Sequence, residues 1–117
     1  MNTTDFIYCL AMTESKNDPF VHLGDGGRAL GRFQVHPDWV WTQCSRFGMK
    51  PELNETWDAF VTRLVVAFFN HYALSMDDLG VAMYFHLGHR TDPTAPDWDA
   101  PYAERFQTYA ADMSRPH

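Results

Sequence analysis

The residue whose position is hardest to explain without chemistry is Glu14. Phe6, Ile7, Leu10 and Ala11 recur at helical spacing, and Glu14 follows Leu10 by four positions and Ile7 by seven. That spacing predicts a carboxyl on the face the helix buries, in its last turn, where the helix dipole disfavours a negative charge. Burial and negative potential both favour the protonated form of a carboxyl, and a carboxyl that keeps its proton near neutral pH is fit to act as a general acid. A second arrangement is open on the pattern alone: the helix ends one residue earlier and Glu14 points into water.

Two further groups of residues invite a chemical reading. Gly24-Asp25-Gly26-Gly27-Arg28-Ala29-Leu30-Gly31-Arg32-Phe33-Gln34 is dense in glycine, which permits positive φ and close approach of main chain to a polymer. No Gly-Lys-Ser/Thr follows, so this is not a phosphate loop, and taken alone the stretch reads first as a plain connection between helices. Asp25 within it is either a second carboxylate of a site or an ordinary Gly-Asp-Gly turn residue. His86 and His89 lie three apart, with His22, His36 and His71 elsewhere. Gly88 interrupts the pair and no third ligand stands at a recognisable distance, so no metal site is expected. Cys9 and Cys44 form no Cys-x-x-Cys pair. They are expected as two free buried thiols, a single bridge being the alternative outside the cytoplasm.

The elements that must position these residues follow from caps and periodicity. A first helix starts at Thr3 or Thr4, whose hydroxyl caps it, with Asp5 suiting the positive end of the dipole. From Lys16 to Arg32 the chain is turn-rich, with short strands expected at Phe20–Leu23 and Arg32–Val35 joined as a hairpin through Gly24-Asp25-Gly26-Gly27. Helical pattern resumes at Pro37 and runs to Phe47 before Gly48 stops it. The longest helix is expected from Glu55 to Ala73, with Trp57, Val61, Leu64, Val65, Phe68 and Tyr72 on one face, and is apolar enough in its middle to be central. Ser75-Met76-Asp77-Asp78 opens a helix from Met76 to about His86, Gly88 ends it, and a last helix runs from Pro101 to about Met113. The expected fold is mostly α (α+β), about five helices with a small β-hairpin.

The chain has 117 residues, enough for one domain, and 45% of them are hydrophobic, including nine Phe, four Trp and five Tyr, so it holds a proper core. Nine Lys and Arg against fifteen Asp and Glu give a net charge of −6. That sign excludes binding to nucleic acid or to an anionic membrane surface through basic patches. The longest apolar run, Leu64 to Phe69, has six residues where a membrane span needs about 20. Met1-Asn2-Thr3-Thr4-Asp5 lacks the basic start of a signal peptide, so the chain is expected to stay in the cytoplasm or leave by phage lysis or a secretion machine.

Four blocks in chain order resemble the soluble lytic transglycosylase and goose-type lysozyme group, within the lysozyme-like fold. Thr13-Glu14-Ser15-Lys16-Asn17-Asp18-Pro19 is similar to the group's Glu-Ser motif, a glutamate closing an apolar helix before an Asn/Asp-Pro turn. Arg28-Ala29-Leu30-Gly31-Arg32-Phe33-Gln34-Val35-His36-Pro37 resembles its Gly-x-x-Gln block, in the version of phage-related members. Val81-Ala82-Met83-Tyr84-Phe85-His86-Leu87-Gly88 resembles its Ala-x-x-Tyr-Asn-x-Gly block, and Pro101-Tyr102-Ala103-Glu104-Arg105-Phe106 its final tyrosine-led helix. The departure is His86 where asparagine is usual, with Phe85 where tyrosine or tryptophan stands.

The resemblance implies an enzyme that cuts the β-1,4 bond between N-acetylmuramic acid and N-acetylglucosamine in peptidoglycan, with Glu14 as general acid. In the transglycosylase version the same carboxylate then closes a 1,6-anhydro ring; in the lysozyme version a second carboxylate, here Asp25, activates water. The reading leans to the anhydro-forming outcome. Substrate contacts are implied for Ser15, Gln34, Phe85, His86 and Tyr102, with Tyr102 closing the cleft. The implied partner is the peptidoglycan glycan strand, bound by a monomer without cofactor or metal. The rival expectation is a non-catalytic lysozyme-fold protein: a wall-binding module, a virion piece or an acidic inhibitor. A buried Glu14 lining an open cleft with Gln34 and His86 favours the enzyme, and a filled cleft the binder.

Overall fold

The computed structural model describes residues 1–18 and 29–113. In them the chain forms an all-α globule of five helices: α1 (Thr3–Ser15), α2 (Pro37–Phe47), α3 (Trp57–Tyr72), α4 (Asp78–Leu87) and α5 (Ala100–Met113). Helix α1 packs on α5 and α3, α2 on α3, and α4 on α5. This arrangement brings the C-terminal ends of α1 and α4 and the N-terminal end of α5 together, as the contacts of Glu14, His86 and Asp99 show.

Helix boundaries follow side-chain caps closely. Asn2, rather than Thr3 or Thr4, caps α1, its side-chain oxygen accepting from the Asp5 amide at 2.8 Å; the Thr3 hydroxyl instead donates to Asn70 at 3.2 Å. Thr56 caps α3 by accepting from the Ala59 amide, which starts that helix at Trp57 rather than Glu55. Glu55 is taken by Arg63 in a bidentate pair, at 2.6 and 2.7 Å. Those hydrogen bonds, with one from the Glu52 amide, hold its carboxyl down to about 2. Asp77 caps α4 by accepting from the Gly80 amide at 2.7 Å, and Gly88 closes that helix at φ 80°.

The core is aromatic and runs through every helix. Phe6 of α1 stacks on Phe69 of α3 at 4.1 Å and tilts against Phe106 of α5 at 5.8 Å. Leu10, Leu64, Val65, Phe68, Val81, Met83 and Tyr102 are fully buried around them. Each such side chain contributes roughly 1.5–3 kcal/mol on leaving water. Trp57, expected on the buried face of α3, is 39% exposed in that helix's first turn, and Phe60 is buried instead. Cys9 and Cys44 are free thiols, and burial together with Asp5 and Asp78 pushes Cys9 up to about 11. No helix among the described residues is long and apolar enough to cross a membrane.

The β element differs from expectation. Leu30 and Val35 form an isolated antiparallel bridge, their amides and carbonyls paired at 2.9 and 3.1 Å, and no strand forms among the described residues. Phe33 and Val35, within the expected strand Arg32–Val35, are both buried, at 1% and 3% exposure. The backbone, however, turns between Gly31 at φ 74° and Gln34 at φ 50°, so Arg32 and Phe33 lie within a tight turn. The expected strand Phe20–Leu23 and its Gly24-Asp25-Gly26-Gly27 turn lie outside the described residues.

Candidate active site at the ends of α1, α4 and α5

Helix α1 runs through Glu14 to Ser15, so the alternative in which it stops early does not arise. Two successive left-handed residues, Lys16 at φ 58° and Asn17 at φ 63°, then turn the chain, their amides donating to the Met12 and Ala11 carbonyls. Asparagine tolerates that conformation, whereas a lysine in it stores strain of about 1 kcal/mol. The carboxyl of Glu14 is left only 10% exposed, and its Oε2 is buried with no hydrogen-bond partner of ordinary geometry. Glu14 lines a cleft of about 480 Å³ together with Gln34, Val35, Trp39, Phe85 and His86.

His86, in the last turn of α4, is the polar centre of this cleft. Its Nδ1 lies 3.5 Å from Glu14 Oε2, and its Nε2 lies 2.9 Å from Asp99 Oδ2. The ring lies flat on Tyr102, with centroids 3.8 Å apart and planes 10° from parallel. Burial opposes the charged imidazole, but the two flanking carboxylates outweigh it and raise His86 above its usual 6.5. Asp99 is the N-cap of α5: its Oδ1 accepts from the Tyr102 amide at 3.1 Å while Oδ2 meets His86. The amide bond, backed by His86, holds the Asp99 carboxyl below the usual range. One carboxylate therefore caps a helix and fixes an imidazole.

The implied site residues do not all come together. Glu14, Gln34, Phe85 and His86 come together around the cleft. Phe85 meets Trp39 edge-on at 5.0 Å, giving the cleft an aromatic wall, and Gln34 donates from its side-chain amide to the Gly31 carbonyl at 2.8 Å. Tyr102 is fully buried beneath His86, so it forms the floor under the imidazole and does not close the cleft from outside. Its hydroxyl has no partner of ordinary geometry, and burial, with the nearby charge of Glu14, pushes the phenol well above its usual value.

Ser15 faces the other way. Its hydroxyl donates to the Arg32 carbonyl at 2.7 Å and accepts from the Asp18 amide at 3.1 Å, tying the 31–34 turn to the end of α1. The Arg32 side chain completes the tie, reaching Asp58 at 2.9 Å, Asn17 at 3.2 Å and Thr62 at 2.8 Å. Asp25 lies outside the described residues. Among the described residues, no group of three or more His, Cys, Asp or Glu side chains is arranged to hold a metal ion. His89 is engaged elsewhere, by Asp97, which also accepts from Thr91 at 2.8 Å.

Two residues of the site were not singled out from the sequence. Asp99 stands before Ala100-Pro101, and an acid just ahead of a proline in the first helical turn is an N-cap signal that was available. Trp39 lies in the stretch expected as a helix from Pro37 to Phe47, and only the tertiary fold shows that it borders the cleft. No family model matches the chain, and no curated protein or solved structure is similar enough to it to count as a match.

Proposed function

We propose that the chain is a lysozyme-like glycosidase that cuts the β-1,4 bond between N-acetylmuramic acid and N-acetylglucosamine in peptidoglycan, in the manner of a lytic transglycosylase. The observation that carries this reading is the setting of Glu14. A largely buried carboxyl with an unpartnered oxygen lines an open cleft of about 480 Å³ beside Gln34 and His86. A buried polar atom without a partner is costly, and a substrate oxygen is one partner that would satisfy it.

In this reaction Glu14 gives its proton to the glycosidic oxygen as the C1–O bond breaks through an oxocarbenium-like transition state. The carboxylate then takes the proton of the muramyl 6-hydroxyl as that oxygen bonds to C1, giving a 1,6-anhydro end. The Trp39 and Phe85 rings suit the apolar faces of sugars, and Gln34 and His86 supply polar groups at the cleft wall.

The test is digestion of purified peptidoglycan by the wild type and by Glu14→Gln, with muropeptides read by mass spectrometry. Anhydro-muropeptides that disappear in the variant are the expected result. Reducing-end products that disappear instead assign a lysozyme and promote Asp25. No release by folded wild type, across wall types and pH values, overturns the enzyme reading in favour of a lysozyme-fold binding module.

A further inference from the structure

We propose that His86 is the proton partner of Glu14: its Nδ1 holds the proton that Glu14 passes to substrate, while Asp99 fixes the ring through Nε2. The inference rests on the glycosidase reading for the destination of the proton, but the pairing itself stands on geometry. The imidazole has a carboxylate on each nitrogen, at 3.5 Å from Glu14 and 2.9 Å from Asp99. It cannot tilt away, because Tyr102 lies flat beneath it at 3.8 Å. The Glu14 carboxyl it faces also interacts with the buried Tyr102 hydroxyl, and its Oε2 makes no hydrogen bond of ordinary geometry.

The two carboxylates are not equivalent. Asp99 is tied twice, to the Tyr102 amide and to His86, and is the better-compensated anion. The Glu14 carboxyl has Nδ1 at 3.5 Å and an interaction with the Tyr102 hydroxyl but no hydrogen bond of ordinary geometry at Oε2, so it is the carboxylate with room to accept a proton. The charged and titratable groups facing the ring are Glu14 from α1 and Asp99 and Tyr102 from α5, with Arg105 over the far side of the cluster at 5.7 Å from Tyr102. His36 lines the same cleft from the turn before α2. With two carboxylates against one imidazole, the cluster keeps a proton to higher pH than an ordinary histidine does.

The step balances. In the proposed step the shared proton starts on Nδ1, facing Glu14 Oε2. A sugar filling the cleft excludes water, which favours the neutral pair, and the proton moves from Nδ1 to Oε2. Glu14 then delivers it to the glycosidic oxygen as the C1–O bond breaks. The proton released by the 6-hydroxyl returns to Glu14 and, as product leaves, to Nδ1, so the cluster ends as it began. This differs from the asparagine usual at the position of His86, which offers hydrogen bonds but no titratable proton.

Two measurements on the full chain test this. The first follows the His86 ring nitrogens by NMR through a pH titration in wild type, Glu14→Gln and Asp99→Asn. The expected midpoint lies above 6.5 in wild type and falls in both variants; an unchanged midpoint in Glu14→Gln overturns the pairing. If Asp99→Asn fails to fold because α5 loses its cap, Asp99→Ser keeps a cap acceptor without the reach to His86.

The second compares the pH profile of muropeptide release by wild type and His86→Asn. The alkaline limb of the wild-type profile should track the NMR midpoint and move acidward in the variant. Each unit of that move adds about a tenfold loss at neutral pH to the pH-independent loss from the missing cleft-wall contact. A variant that keeps the wild-type limb overturns the proton-partner role. Absence of any release sinks the glycosidase reading and the delivery step with it, whereas the NMR titration still decides whether Glu14 and His86 form a pair.

Discussion

Glu14 and Ser15 are neighbours in the last turn of α1, yet they enter environments of opposite kind. Ser15 enters a satisfied network: its hydroxyl meets Arg32 and Asp18, and the Arg32 guanidinium reaches Asp58, Asn17 and Thr62. Glu14 enters a site in which its own Oε2 and the Tyr102 hydroxyl are both buried without a hydrogen bond of ordinary geometry. A fully paired polar network fixes geometry, whereas an incompletely paired one costs stability and persists where something else uses it. The end of α1 therefore carries both tasks one residue apart: one side chain anchors the turn that bounds the cleft, and the next is left unpaired at the cleft wall.

Removing each side of this contrast should separate activity from stability. The largest effect expected is on rate: Glu14→Gln lowers glycan cleavage by about 10²–10⁴-fold, the usual contribution of a general acid. Its unfolding free energy by denaturant should stay within about 1 kcal/mol of wild type, since the amide keeps the carboxyl's shape and Oε2 gives up no hydrogen bond of ordinary geometry. Arg32→Ala should do the reverse. It strips three side-chain partners at once and is expected to destabilise by about 2–4 kcal/mol, read as a lower denaturant midpoint. A loss of activity beyond the unfolded fraction would place the turn among the parts that set cleft geometry.

The smaller member of the satisfied network refines the comparison. Ser15→Ala removes the bond to the Arg32 carbonyl and the acceptor for the Asp18 amide. Both partners have some access to water, so the expected cost is about 1 kcal/mol, measured by the same denaturation. Should Ser15→Ala instead abolish cleavage at unchanged stability, the serine belongs with substrate contacts after all.

What was legible in the sequence divides along the same line. The burial of Glu14 could be read because it depends on a local pattern, the four- and seven-residue spacing from Leu10 and Ile7, which a helix preserves whatever it packs against. The stops at Gly48 and Gly88 were legible for the same reason. The turn at Gly31–Gln34 was not, because Phe33 and Val35 are buried alternately in a turn as they would be in a strand. The Asp99–His86–Glu14 line joins three elements separated by up to 85 positions, and no periodicity within any one of them encodes it. Its only local trace is the capping position of Asp99.

The most delicate test of the unsatisfied side is Tyr102→Phe. The ring must stay, since it carries the His86 stack and is fully buried in the core. The hydroxyl has no partner of ordinary geometry, and its phenol is pushed up by burial and by the charge of Glu14. Deleting a buried hydroxyl that makes no hydrogen bond of ordinary geometry relieves a desolvation penalty without opening a large cavity, so stability should be unchanged or higher by up to about 1 kcal/mol. A thermal melt of the two proteins at matched pH measures it. A loss of more than about 1 kcal/mol would mean that the hydroxyl is satisfied by water or by Glu14 itself. The end of the cleft would then be a closed network like that of Ser15, and the contrast between the two neighbours would collapse to a difference in exposure alone.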